Sequence, residues 1–326
     1  MIISRTPLRV SFLGGGSDLP NYYRRHGGAV LSTAIDKAVY VTVSRKFDDA
    51  VRVSYSRTEE VAHASQVEHP LVRESLALLG IEGGVEITSV ADIPAKGTGL
   101  GSSSSFTVGL LNALHAYAGR QASAETLAKE SCQIEIERCG EPIGKQDQYA
   151  AAFGGFNFIR FHPDETVEVT KVACTEDVTA HLHASLLFFY TGITRSASAL
   201  LQRQSAEMEC AGAKSDAMGE MVHMAEVAHA DICTGNLESF GSMLGAAWRI
   251  KKQMTNGITN TFVDEAYQAG IGAGALGGKL LGAGGGGFLM FFAPLERHGA
   301  IRHALRSLRE TPFRFAPHGS EITHVA

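Results

Sequence analysis

The chain has 326 residues, 44% of them hydrophobic and 19% charged, with 16 Phe against 9 Pro. That balance permits a large buried core and excludes both intrinsic disorder and a disulfide-stapled miniature. Lys and Arg number 29 against 34 Asp and Glu, a formal net charge of −5 with no basic run, so the footprint of a nucleic-acid binder is missing. In chain order, Arg5 and Pro7 interrupt the N-terminus before any apolar core of signal length. No later apolar stretch approaches about 18 residues, so neither export nor a membrane partner is expected. Segments 8–13, 38–43, 51–55 and 85–88 are alternating or β-rich and predict neighbouring strands. After Gly101 the period changes. Phe106, Leu110, Leu114 and Tyr117 share a helical face and Gly119 stands where a helix ends, which predicts a helix over 103–118. A second helix is expected over 124–138, closed by Gly140 and Pro142. Strands follow at 156–161, 167–172 and 185–190, then an Ala/Met/Glu-rich helical stretch over 196–233, and a glycine-dense segment, 270–287, that feeds a strand at 288–292. No repeat of 20 to 50 residues is visible. Uneven alternation of strands and helices predicts two α+β domains, residues 1–180 and 181–326.

The five cysteines, Cys132, Cys139, Cys174, Cys210 and Cys233, contain no Cys-x-x-Cys pair. Reduced thiols in a cytoplasmic protein are the plain expectation. Glycine is the anomaly, 36 residues where ordinary usage is roughly 7%, and it clusters. Between a predicted strand and a predicted helix runs Pro94-Ala95-Lys96-Gly97-Thr98-Gly99-Leu100-Gly101-Ser102-Ser103-Ser104-Ser105. Glycines let backbone N–H groups turn toward a ligand, and a helix start adds unpaired donors and the positive dipole end, so a phosphate fits there. A flexible linker is the alternative, although linkers seldom run straight into an amphipathic helix. There is no Walker A string, and the Gly-x-Gly-x-x-Gly matches at 272–277 and 282–287 do not have the setting of a dinucleotide site.

At the N-terminus, a strand carrying Arg9 runs into Gly14-Gly15-Gly16-Ser17-Asp18. Asp18 on that bare loop could accept hydrogen bonds from several hydroxyls of a polyol, or cap the helix that begins near Pro20. A fourth segment, Gly144-Lys145-Gln146-Asp147-Gln148-Tyr149-Ala150, puts Asp147 twelve residues beyond Glu135. Taken alone, Asp147 could equally be a solvated surface carboxylate.

Together these segments resemble the GHMP kinases, the family of galactokinase, homoserine kinase, mevalonate kinase and phosphomevalonate kinase. Three motifs match in order: Pro7-Leu8-Arg9 with the 14–18 loop, Gly99-Leu100-Gly101-Ser102-Ser103-Ser104-Ser105, and Lys279-Leu280-Leu281-Gly282-Ala283-Gly284-Gly285-Gly286-Gly287-Phe288. The triple glycine, Ala34-Ile35-Asp36-Lys37 and the 144–150 string look most like the bacterial sugar 1-kinases of heptose 7-phosphate, with L-fucokinase as the neighbouring branch. The resemblance implies an N-terminal domain like the second domain of ribosomal protein S5, a ferredoxin-like C-terminal domain and an active site in the cleft between them. It further implies ATP and a sugar phosphate as small-molecule partners, with Mg²⁺.

By the same resemblance, Lys96, Gly97, Gly99, Leu100, Gly101, Ser102, Ser103, Ser104 and Ser105 cradle ATP, and Ser103 and Glu135 hold Mg²⁺, with Glu137 as the rival to Glu135. Asp147 faces the acceptor hydroxyl and Arg9 is its basic partner. Asp18 matches a sugar-hydroxyl acceptor, with Gly15, Gly16, Ser17, Gly284 and Gly285 beside it. Gly15 and Gly16 replace the Glu-His of galactokinase, so the detailed sugar contacts of that relative do not carry over. Lys145, Arg195 and the Arg24-Arg25 pair are the candidates for a distal phosphate. Two rivals remain, a non-catalytic ligand sensor of the same fold and a diphosphate decarboxylase. Asp147, Glu135, Ser103 and Arg9 speak against the first and the Asp18 loop against the second.

Overall fold

The computed structural model describes residues 1–94, 97–194, 200–203 and 212–325. In chain order the elements are β1 (Ile2–Leu13), α1 (Pro20–His26), β2 (Gly28–Arg45), β3 (Val51–Ser54), β4 (Thr58–Val61), α2 (Pro70–Leu79), β5 (Val85–Ala91), α3 (Ser102–Tyr117), α4 (Ala124–Cys132) and α5 (Gln146–Phe153). There follow β6 (Phe156–Phe161), β7 (Val167–Lys171), α6 (Glu176–Ala184), β8 (Leu186–Tyr190), α7 (Ala213–Cys233), α8 (Phe240–Met254), α9 (Thr261–Gly272), β9 (Gly277–Leu280), β10 (Phe288–Phe292), α10 (His298–Ala304), β11 (Arg309–Glu310) and β12 (Glu321–Val325).

The predicted strands and the helix after Gly101 are all present. The expected helix over 124–138 is α-helical only to Cys132, and Gln133–Arg138 form a wider π-helical turn. Of the helical stretch expected over 196–233, residues 200–203 and α7 are helical and the remainder of 196–211 lies outside the described residues.

The first sheet is organised by β2, an 18-residue strand antiparallel to β1. Its first part, Gly28 to Thr33, pairs with β6 and its second part, Val39 to Arg45, pairs with β5. β3 lies parallel to β5 and antiparallel to β4, while β12 returns from the C-terminal end of the chain to pair with β1. The second sheet is antiparallel, in the order β11, β8, β10, β9.

Alternate residues of a strand face opposite sides, and here both sides are covered. Val30, Ile159 and Phe161 pack with Val108, Leu111 and Leu127 from α3 and α4, while Leu31 and Phe158 join a core with Ala225, Ala228 and Ile232 of α7. Phe12 meets Phe240 and Phe156 edge-on at 5.6 and 5.8 Å, so the first sheet shares a core with the C-terminal helices. Phe188, Phe288 and Met290 of the second sheet also join that core, and their neighbours Leu187, Phe189 and Leu289 pack with Trp248 and Tyr267 on the other face. Mid-helix Gly109 lets α3 approach β1: a Cβ there would stand 2.6 Å from the Thr6 hydroxyl, and its carbonyl accepts from Ser4 Oγ at 2.7 Å. This close docking fixes where the start of α3 lies against the end of β1.

Cys132, Cys139, Cys174 and Cys233 are free thiols. Among the described residues, no helix is long and apolar enough to cross a membrane.

Candidate active site

All three glycine loops, the first turn of α3 and the segment entering α5 meet around a cavity of about 600 Å³. Arg9, buried on β1, reaches into it. Its Nε and Nη2 donate to Asp147 Oδ1 and Oδ2 at 2.7 and 2.8 Å, and its Nη1 donates to the Gly99 carbonyl at 2.7 Å. One planar guanidinium therefore fixes the carboxylate and the second glycine loop together, a geometry that the fork of Arg suits. Asp147, the second residue of α5, keeps 24% of its side chain exposed toward the cavity. Gly101 makes room for the pair, because its φ is +77° and a Cβ there would lie 3.3 Å from both Asp147 Oδ2 and Arg9 Cγ. The residue serves as the left-handed cap of α3, and no side-chain cap hydrogen bond closes the start of that helix among the described residues. Gly97, Gly99, Gly101, Ser102, Ser103 and Ser104 all line the cavity.

Glu135 stands behind that turn. The π-helical turn carries it inward, 1% exposed, while Glu137 is exposed. Its Oε1 accepts from Ser103 Oγ at 3.2 Å and its Oε2 from Gln148 Nε2 at 2.5 Å. Burial pushes its pKa up from 4.5 to about 7 despite these donors.

On the first loop, Gly15, Gly16 and Asp18 also line the cavity. Asp18 does not cap α1, whose start at Leu19 has no side-chain cap. Its carboxylate accepts instead from the Gly16 N–H at 2.9 Å, the Gln146 N–H at 3.1 Å and Gln146 Nε2 at 2.9 Å. Burial, and then the charge of Asp147, raise its pKa.

Several expected residues lie off the cavity wall. Ser17 bridges the Ala29 backbone, and Ser105 donates to the Pro7 carbonyl. Leu100 is core, while Gly284 and Gly285 pack on the Ile258 backbone. Lys145 turns away, pairing with Glu165 and lying 4.8 Å over the Tyr23 ring, and Arg24 is spent on the same Glu165 at 2.5 Å. Lys96 and Arg195 lie outside the described residues. Among the polar cavity residues to which the sequence reading gave no role are Ser11, Gln146, Lys251 and Lys279. Lys279 opens the third motif, which is a usable signal; Lys251 carries none.

A model described as the GHMP kinases N terminal domain matches residues 39–155, and one described as GHMP kinases C terminal matches 228–311. The chain belongs to the GHMP kinases. It is 29% identical over 328 residues to the D-glycero-alpha-D-manno-heptose 7-phosphate kinase of Campylobacter jejuni, covering 94% of this chain and 93% of that one. It superposes on the crystal structure of a D-glycero-D-manno-heptose 1-phosphate kinase from Bacteroides thetaiotaomicron with a TM-score of 0.82 and 26% identity over the whole of both chains. It is also 27% identical over 330 residues to the L-fucokinase/L-fucose-1-P guanylyltransferase of Bacteroides fragilis, across 90% of this chain but only 34% of that longer protein. The protein is therefore a kinase with the two-part α+β fold of that family. In this GHMP kinase the first match contains the 97–105 loop, Glu135 and Asp147, the second contains Lys251 and the third glycine motif, and the Arg9 strand and Asp18 loop precede both.

Proposed function

We propose that this GHMP kinase transfers the γ-phosphoryl group of ATP to the anomeric hydroxyl of D-glycero-D-manno-heptose 7-phosphate, giving the 1,7-bisphosphate. The observation that carries the reading is the Arg9–Asp147 pair, a preorganised carboxylate on a cavity whose other wall is the uncapped start of α3. Phosphoryl transfer asks a protein to align the nucleophile and to neutralise spreading charge. The free N–H groups at the start of α3 receive the ATP phosphates, and Asp147, oriented by both nitrogens of Arg9, takes the proton of the acceptor hydroxyl as the new P–O bond forms. An anomeric hydroxyl is more acidic than an ordinary alcohol, so a carboxylate suffices. The cleft lies between residues 1–180 and 181–326 as the two working units, and the free thiols suit a cytoplasmic enzyme.

Mg²⁺ fits the residues present. No cluster of three or more His, Cys, Asp or Glu exists among the described residues, but Mg²⁺ asks for one or two carboxylates and takes its remaining oxygens from water and substrate phosphates. Glu135 and the Ser103 hydroxyl beside it form such a donor set, and a carboxylate held near pH 7 by burial gains from a cation. When bound, the ion neutralises charge on the phosphoryl oxygens. Both heptose-kinase relatives bear names that join a heptose to a phosphate, which favours a phosphorylated heptose over L-fucose. Measuring ADP release with heptose 7-phosphate, L-fucose, D-galactose and D-mannose tests this: heptose 7-phosphate should give the highest kcat/KM, and L-fucose ahead of it moves the enzyme to the L-fucokinase branch with the same chemistry.

A further inference from the structure

Two buried ammonium groups on the cavity have no task in the transfer described above. Lys251, in the last turn of α8 and 7% exposed, donates to the Gly282 carbonyl at 2.6 Å. Lys279, on β9 and 4% exposed, donates to the Ser11 and Phe12 carbonyls at 3.0 and 2.9 Å. These acceptors are neutral. Of the carboxylates that line the cavity, Asp147 is engaged by Arg9 and Asp18 by Gly16 and Gln146. Arg9, Lys251 and Lys279 thus share the cavity wall with three carboxylates, Asp18, Glu141 and Asp147, and among the described residues only Arg9 is ion-paired to one of them. Each ammonium has three donors, so Lys251 keeps two unspent and Lys279 one. Beside Lys279, the Ser11 hydroxyl, on a residue 6% exposed, has no hydrogen-bond partner among the described residues. Burial lowers the pKa of Lys251 to about 8, with Arg9 adding repulsion that Asp18 and Asp147 oppose, and burial lowers that of Lys279 well below its usual range, with repulsion from Lys251 and then Arg9. A fold gains nothing by burying such charges, since apolar side chains of the same size would cost less. A bound anion removes the penalty.

We propose that Lys251 and Lys279, with the Ser11 hydroxyl, form the subsite for the phosphate that the acceptor sugar already carries, so that the enzyme selects a sugar phosphate over the free sugar. The inference rests on reading Asp147 as facing the acceptor hydroxyl. Lys279 is anchored at the end of β1 where the chain enters the Gly14 to Asp18 loop, and Lys251 is held by Gly282 where the third glycine motif packs on Gly99, so the subsite lies between the first loop and the nucleotide loop that leads into α3. Lys145 and Arg24, paired with Glu165, do not line the cavity.

The test compares kcat/KM for heptose 7-phosphate with that for the same heptose lacking phosphate, in the wild type, Lys251→Met and Lys279→Met. The wild-type preference for the phosphorylated sugar should fall at least tenfold in each variant, the scale of a charge-assisted hydrogen bond. The loss should lie in KM for the sugar phosphate, with KM for ATP within twofold. Heptose 7-phosphate alone should raise the melting temperature of the wild type and lose that effect in both variants. Should a methionine variant melt early, Lys251→Gln, which retains a donor for Gly282, carries the same comparison. Equal losses of kcat on both acceptors, with the preference intact, overturn the subsite and assign the ammonium groups to the transferred phosphoryl. A wild type that takes L-fucose ahead of heptose 7-phosphate rejects the proposed substrate; a wild type that demands the phosphate beside variants that still do rejects the subsite alone.

Discussion

Arg9 and Asp147 meet in a bidentate pair, while Lys251 and Lys279, on the same cavity, rest on backbone carbonyls. Both arrangements bury charge, yet only the first is complete without a ligand. The N-terminal side of the cavity, built on β1 and α5, has its carboxylate held in one orientation before any substrate arrives, which is what a group acting in the transition state needs. The C-terminal side, built on α8 and β9, is left short of anions and is satisfied by binding one. Damage on the first side should therefore appear in turnover, and damage on the second in affinity.

The largest effect tests the first half of that contrast. Asp147→Asn keeps one acceptor oxygen for Arg9 but loses the basic oxygen, so kcat at saturating substrates should fall on the order of 10²-fold or more, with both KM values changing little. A variant with wild-type kcat would remove Asp147 from the chemistry and, with it, the division between the two sides.

Glu135 combines both behaviours, since it is hydrogen-bonded by Ser103 and Gln148 and still held up to about 7 by burial. Glu135→Gln should raise the Mg²⁺ concentration for half-maximal activity about tenfold, while Glu137→Gln, on an exposed residue, should not. The pH dependence has a definite sign. The folded protein retains on Glu135 a proton that the unfolded chain releases near 4.5, so without Mg²⁺ this group makes stability fall as pH rises from about 4.5 to about 7. The full amplitude is on the order of 3 kcal/mol. Denaturant melts in EDTA at pH 5 and pH 7.5 should show the fall in the wild type and a smaller one in Glu135→Gln; equal slopes would mean that Glu135 is not the titrating group.

What the sequence reveals is whatever a local pattern encodes. Gly99 and Gly101 ahead of a 3.6-residue apolar period announce a loop entering a helix, and Arg9 and Asp147 stand inside strings that identify their family. Side-chain direction is another matter. Lys145 stands two residues from Asp147 yet reaches Glu165, a residue at φ 72° in the turn between β6 and β7. Lys251 and Lys252 are adjacent in the last turn of α8, and only the packing of that helix sends one to the cavity and the other to Asp264 at 3.0 Å. Pairing is equally silent: nothing local tells that β2 serves β6 with one part and β5 with another, or that β12 returns to β1. The π-helical turn that brings Glu135 inward is a change in hydrogen-bond spacing, which the apolar period of residues 124–138 does not register.

The smallest effect sharpens the second half of the contrast. Ser11 Oγ is buried with no partner among the described residues, so removing it takes away an unsatisfied polar group and breaks no bond seen there. Such a deletion is close to neutral for folding, and Ser11→Ala should melt within a degree or two of the wild type. If the hydroxyl donates to the sugar's phosphate, the same change costs one hydrogen bond in the complex, about 0.5 to 1.5 kcal/mol, or roughly a two- to tenfold rise in KM for heptose 7-phosphate. KM for ATP and for the unphosphorylated heptose should stay where they are. The variant thus separates stability from recognition at one atom: a lower melting temperature with unchanged KM would show that Ser11 supports the end of β1, and would leave the two lysines as the whole of the subsite.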